Sequence, residues 1–278
     1  MPRVSAKTRR HGFPDVHGDQ RDHRRREIHS NPYPSQKETI VKRRRDFLTL
    51  STTAVAAAGL ALVGRPSPAL AMPKEQRDRL NPQQVIDLMR KGNERFRAGV
   101  RVNRDFLREQ QDRSTGQFPA AVILSCIDSR APAEIVMDLG IGDVFNSRMA
   151  GNIANADVLG GLEFACQVAG AKVVLVLGHT ACGAVAGAIA NVTLGNLTGL
   201  LDRIRPAIGA TTFAGERVST NAEFVDAVAR TNVQLTMAKI RSESPVLAAL
   251  EQQGTIAIAG AMYDLRTAAV SFLAPHAF

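Results

Sequence analysis

A chain of 278 residues has room for one large domain or two small ones, and its net charge of +9 would suit a nucleic-acid partner if the charge were spread evenly. It is not: residues 1–45 hold 13 basic and 5 acidic residues, whereas residues 72–278 hold 21 and 20, so the body presents no excess that would draw nucleic acid. The three cysteines, Cys126, Cys166 and Cys182, are an odd number without small-domain spacing, which argues against a disulfide framework.

Residues 1–41 are rich in Arg, His, Pro, Asp and Ser and poor in large apolar side chains. They cannot bury enough surface to offset ordering entropy and read as a disordered basic leader, or as the product of a start assigned too far upstream. Residues 42–71 read as an export signal, with an uncleaved amphipathic or membrane-anchoring segment as the competing reading. Arg44-Arg45-Asp46-Phe47-Leu48 resembles the twin-arginine pattern, the 14 residues Leu50 to Val63 form a mildly apolar run, and Ala69-Leu70-Ala71 offers an A-x-A cleavage site. Fourteen residues fall short of the roughly 20 that span a bilayer as a helix. The expected mature chain, residues 72–278, is therefore soluble, without a stable membrane span, and periplasmic or otherwise exported.

Within it, Asn81-Pro82 reads as N-cap and first helical residue, and Val85, Leu88, Met89 and Phe96 follow at helical spacing. A short helix is expected over 105–112 and a loop over 114–118. Strand 120–125 comes next, then a helix from Pro132 to Gly140, a short strand over 143–147 and a helix over 156–169 stopped by Gly170. A strand over 172–177 and a small-residue helix over 182–191 follow. Helices are expected over 197–208, 222–241 and 245–252, with closing strands over 255–262 and 268–273 that suit a hairpin. Strands alternating with helices predict an α/β domain, a mainly parallel sheet flanked by helices.

Two of the apolar runs end in metal-ligand residue types. AVILS leads into Cys126 and KVVLVLG into His179, with Cys182 three residues later. Ligands of a parallel sheet gather beyond the carboxyl ends of its strands, so side-by-side placement would bring Cys126 and His179 to one edge and Cys182 in from the next helix. Three protein ligands with an open fourth position is how catalytic zinc is held, whereas structural zinc has four. Asp128 and Arg130 follow Cys126 at two and four residues. Alone they read as a solvated ion pair; beside a metal ligand they read as functional. Cys166, inside an apolar helix, reads as a small buried hydrophobe. Arg148 reads as a brace below the site, Glu163 as a structural hydrogen-bond partner, and His276 as exposed and inert.

The pair Cys126-Ile-Asp128-Ser-Arg130 and His179-Thr-Ala-Cys182 resembles the C-x-D-S-R and H-x-x-C segments of the β-class carbonic anhydrases. Gly92-Asn93-Glu94-Arg95-Phe96, Arg148-Met149-Ala150-Gly151-Asn152, Gly161-Leu162-Glu163-Phe164 and Tyr263-Asp264 resemble further segments of that family. The likeness runs from about Leu80 to Phe272. It implies reversible hydration of carbon dioxide to bicarbonate and a proton, by attack of zinc-bound hydroxide. One Zn²⁺ per subunit would be held by Cys126, His179 and Cys182 at the C-terminal edge of the strands. Asp128 would orient the hydroxide and Arg130 would hold Asp128 ionised. Gln117, Phe145, Ala150, Phe164 and Gly183 would place the substrate. The family also implies a homodimer or homotetramer with the active-site cleft at the dimer interface.

Two departures from the family stand out. Ile123 occupies a position where bicarbonate-regulated members carry Trp, which predicts Asp128 off the metal at rest. Ala268-Ala269 occupy a hairpin where Gly is common. Two other readings compete: a zinc lyase or hydrolase for a CO₂ analogue such as carbon disulfide or carbonyl sulfide, and a non-catalytic zinc or thiol protein using Cys126 and Cys182. The carboxylate and guanidinium of Asp128 and Arg130 argue against the last, because a structural site has no need of them.

Overall fold

In the computed structural model, which describes residues 72–274, the apolar runs form one five-stranded sheet. The strands are β1 (Ala121–Ser125), β2 (Val144–Arg148), β3 (Val173–His179), β4 (Ala257–Tyr263) and β5 (Val270–Phe272). Their order is β2-β1-β3-β4-β5; the first four are parallel and β5 runs antiparallel to β4. The leader, the export signal and His276 lie outside the described residues.

Helices cover both faces, which is why β1 and β3 are apolar throughout rather than alternating. Val122, Leu124, Val174 and Val176 face α9 (Ala222–Glu243), where they meet buried Val228 and Val233. Ala121, Ile123, Val173 and Leu175 point the other way, towards Val85 and Met89 of α2 (Pro82–Ala98). The remaining helices are α1 (Lys74–Arg79), α3 (Phe106–Asp112), α4 (Ala133–Val136), α5 (Ala156–Glu163), α6 (Gly183–Ile189), α7 (Gly195–Asp202), α8 (Arg205–Ala210) and α10 (Pro245–Gln252). None of the described helices is long and apolar enough to cross a membrane.

The α2 start follows its sequence signal. Asn81 accepts from the Gln84 amide, the Gln84 side chain returns the bond, and Pro82 occupies the first turn. Gly92 permits the close packing of α2, since a Cβ there would stand 1.8 Å from the Met137 carbonyl oxygen.

Several boundaries differ from expectation. Helix α1 was not anticipated; it is fastened by buried Arg77, which donates to the Pro119 and Ala169 carbonyls. The helix from Pro132 lasts a single turn, because Asp138 turns left-handed (φ 49°) and its buried carboxylate accepts from Arg95 Nε and the Val102 amide. The helix expected over 156–169 is α-helical only to Glu163 and widens to a π turn over Phe164–Val168. The helix expected over 197–208 is two, α7 and α8, with Pro206 in the first turn of the second, where its missing N–H costs nothing.

The closing hairpin shows what the absent glycine leaves behind. Ala268 sits at φ 58°, the left-handed region that strains a residue carrying a Cβ, and Asn93 Nδ2 pins its carbonyl at 2.9 Å. That strain costs about 1–2 kcal/mol, against a glycine entropy cost of about 0.5–1 kcal/mol. Ala268→Gly should therefore raise stability by up to about 1 kcal/mol, a Tm gain of roughly 2–4 °C by calorimetry for a domain of this size. An unchanged or lower Tm would mean that the hairpin carries no such strain.

Candidate metal centre

The register delivers the ligands. β1 and β3 pair with Ser125 opposite Leu177, so Cys126, just past β1, comes level with the end of β3, where His179 is the last residue. Cys182 is the N-cap of α6. All three side chains are buried, and their donor atoms lie within 4.8 Å of one another.

The donors fit a metal ion. The His179 Nδ1 faces the Thr180 carbonyl at 2.9 Å, which sets Nδ1 as the protonated nitrogen and turns the Nε2 lone pair inward. That buried Nε2 has no hydrogen-bond partner among the described residues, an orphan that a metal would satisfy. Two sulfurs and one imidazole suit zinc and leave its fourth position open. The cluster shares protons unequally. The hydrogen bond from Cys182 pulls the Cys126 thiol well below the usual thiol range, with His179 and the Gly151 and Asp128 amides adding to it against the effect of burial. Cys182 is pushed up by that same contact and by burial. Burial pulls His179 down, yet its contacts with Cys126, the Thr180 carbonyl and Asp128 outweigh this and leave it raised. Metal binding would displace these protons.

Asp128 stands at the cluster's mouth, with Oδ2 3.8 Å from His179 Nε2. Arg130 grips it three times, by its amide (2.9 Å), Nε (3.0 Å) and Nη2 (2.7 Å). The Arg130 side-chain hydrogen bonds hold the Asp128 carboxyl down at about 2, so it is ionised at neutral pH. Arg148, at the end of β2, donates from Nε to the Cys126 carbonyl (3.0 Å) and from Nη2 to the Asp128 carbonyl, bracing the loop as its sequence position suggested. Glu163 accepts from Ser244 Oγ at 2.6 Å, a structural bond. Cys166 is buried away from the cluster in the same wall as Leu162, and burial pushes its thiol up to about 12.

A cleft of roughly 390 Å³ opens onto Cys126 and Asp128. Ala150, Gly183, Ala184, Gly187, Val192, Leu197 and Leu201 supply much of its wall. Of the five expected substrate contacts, Ala150 and Gly183 line this cleft. Gln117, Phe145 and Phe164 are not among its lining residues. Gln117 is exposed before β1, at the opposite end of that strand from Cys126. Phe145, on β2, meets Phe164 with ring centroids 6.1 Å apart, and Phe164 remains half exposed.

Sequence reading missed two residues on α9. Asn232 Nδ2 donates to the Gly151 carbonyl (2.7 Å), and the Gly151 amide points at Cys126 Sγ (3.4 Å). Gly151 has φ 67°, and a Cβ there would meet Ile204 Cδ1 at 2.5 Å, so this loop needs glycine. The one available signal was a buried amide within the apolar stripe of α9, between Val228 and Val233. Asp226 Oδ1 accepts from the Ala181 amide at 2.7 Å, and nothing in the sequence marks it.

Fold and donor set together define an α/β metalloprotein whose three-ligand centre is of the catalytic type, with a fixed carboxylate beside it. Residues 121–270 match the family model described as carbonic anhydrase. The chain is 34% identical over 191 residues to carbonic anhydrase 2 of Mycobacterium tuberculosis, covering 66% of this chain and 89% of that protein. It is 32% identical over 191 residues to a carbonic anhydrase of Mycolicibacterium smegmatis, covering 66% and 90%. The structure resembles that of the β-carbonic anhydrase CafA of Aspergillus fumigatus with a TM-score of 0.52 at 29% identity, over 60% of this chain and 81% of that one. The chain belongs to the carbonic anhydrase family, in its β class.

Proposed function

We propose that this chain interconverts carbon dioxide and bicarbonate at a zinc ion held by Cys126, His179 and Cys182. The observation that carries the reading is the convergence of three buried donors, an orphaned imidazole nitrogen and an arginine-gripped carboxylate at the mouth of one apolar cleft. Zinc, when bound, supplies the Lewis acidity that makes water nucleophilic near neutral pH.

The chain's own residues do the rest. Asp128, ionised and fixed by Arg130, offers an oxygen that accepts a hydrogen bond from an O–H donor and orients that donor towards the cleft. In this reading Asp128, gripped by Arg130 through both oxygens, orients the nucleophile rather than serving as a fourth ligand. The apolar wall of Ala150, Gly183, Ala184 and Leu197 suits a small molecule without a net dipole. A second copy completes the site in this reading. Among the described residues β2 pairs only with β1, so its outer edge is open, and the Phe145–Phe164 pair beside it is partly exposed. A dimer across that edge would cover both rings and place them where a neighbouring cleft can use them.

Stopped-flow CO₂ hydration by residues 72–278, with zinc measured on the same sample and mass determined by light scattering, tests the reading. The expected result is one zinc per chain, activity at mildly alkaline pH and a dimer or tetramer. Zinc-loaded protein that turns over carbon disulfide or carbonyl sulfide but not CO₂ would overturn the substrate assignment. A strict monomer with full activity would overturn the shared cleft.

A further inference from the structure

Between the ligands His179 and Cys182 the chain has two residues in which to turn, and it does so with Ala181 in the left-handed region at φ 51°. Five non-glycine residues among those described have positive φ; three are Asp or Asn, which tolerate it, and the other two are Ala181 and Ala268. A strained residue persists when its surroundings over-determine it. The surroundings of this turn are specific. Thr180 is tied to the end of β4, its amide donating to the Tyr263 carbonyl (3.0 Å) and its Oγ1 accepting from the Leu265 amide (3.0 Å). Ala181 is tied to α9, its amide donating to Asp226 Oδ1 at 2.7 Å across 45 residues of sequence.

We infer that Asp226 is a positioning residue for the metal centre: its carboxylate holds the Ala181 backbone left-handed, and so aims His179 and Cys182 at one point. The inference rests on the zinc reading above. Asp226 does not touch the substrate cleft. It lines a separate surface recess of roughly 200 Å³ with Thr180, Arg230, Met262 and Asp264, which shares no lining residue with the cleft at Cys126. The bond is short, 2.7 Å, and joins a carboxylate to the backbone amide of the strained residue itself, at the surface of the turn. Helix α9 then reaches both sides of the cluster, through Asp226 to the His179–Cys182 turn and through Asn232 and Gly151 to Cys126.

The test uses the full chain loaded with zinc, and in parallel with cobalt(II), whose visible bands report thiolate geometry. The readouts are the rate of metal transfer to a chelator, the cobalt spectrum and the thermal midpoint. Asp226→Ala should release zinc about tenfold faster or more, the range seen when a residue that orients metal ligands is lost, and should shift the cobalt bands. Asp226→Asn, which keeps an acceptor oxygen, should release zinc more slowly than Asp226→Ala. Removing Asp226 in the Ala181→Gly background should cost much less, because glycine adopts the turn without strain. A generic loss of stability would lower the midpoint equally in both backgrounds. Asp226→Ala with the parent release rate and cobalt spectrum would overturn the inference, as would an equal penalty in the two backgrounds. A parent chain that binds neither metal would remove the zinc reading first and this inference with it.

Discussion

Alanine at position 182 should leave a chain that retains no stoichiometric zinc and hydrates CO₂ slower than the parent by on the order of 10³-fold or more, since water without the metal is not ionised near neutrality. Cys182 is one of three protein donors and it is buried, and the carboxylate beside the cluster, Asp128, is already engaged by Arg130 through both oxygens. The loss should affect metal and activity together, because the same sulfur serves both. Cys166→Ala is the matched control. Its thiol lies outside the cluster and burial holds it protonated, so this variant should keep its zinc. Metal analysis beside stopped-flow kinetics decides the matter. Zinc-loaded, active Cys182→Ala protein would remove Cys182 from the ligand set, and a parent chain lacking both zinc and activity would favour a thiol function for Cys126 and Cys182.

The second large effect is expected at Asp128. Asp128→Asn should keep its zinc yet lose roughly 10²–10³ in kcat/KM, the usual scale when a fixed group that handles a proton or a developing charge is removed. The amide is nearly isosteric, so packing hardly changes. It presents one acceptor oxygen and an N–H in place of two anionic oxygens, so it cannot keep the two-point grip of Arg130 Nε and Nη2. Arg130→Lys should fall between parent and Asp128→Asn, since an ammonium keeps the charge but not the planar fork. If Asp128→Asn hydrates CO₂ at the parent rate, the carboxylate is an ordinary surface partner of Arg130. If it loses zinc, Asp128 is a ligand rather than an orienting group.

Most of the architecture was legible because its causes are local or topological. Strands β1 and β3 announced themselves as apolar, β-branched runs, α2 by its cap and first-turn proline, and the end of the π turn that follows α5 by Gly170, which takes up a left-handed backbone. Where boundaries shifted, a tertiary contact or a proline overrode the periodic pattern. Asp138 ended its helix early to meet Arg95, and Pro206 divided a continuous apolar pattern into two helices. The ligand triad was legible for a stronger reason. Parallel strands align their carboxyl ends, so two neighbouring apolar runs that each end in a metal-ligand residue bring those ligands to one edge.

The sequence by itself therefore determined the sheet, the identity of the metal donors and the Asp128–Arg130 pair, whose two-residue spacing lets the arginine fold back on the carboxylate. Only the tertiary structure decided what holds them in place. Asp226, Asn232 and the left-handed turns at Ala181 and Gly151 act through contacts 45 to 81 residues apart, between elements with no common period. The separation of Gln117, Phe145 and Phe164 from the cleft at Cys126 belongs to the same class. A motif records which groups the chemistry requires and apolar periodicity records which faces pack, whereas the single polar contacts that restrain those groups, such as Asp226 to Ala181, join distant elements and follow no period in the chain.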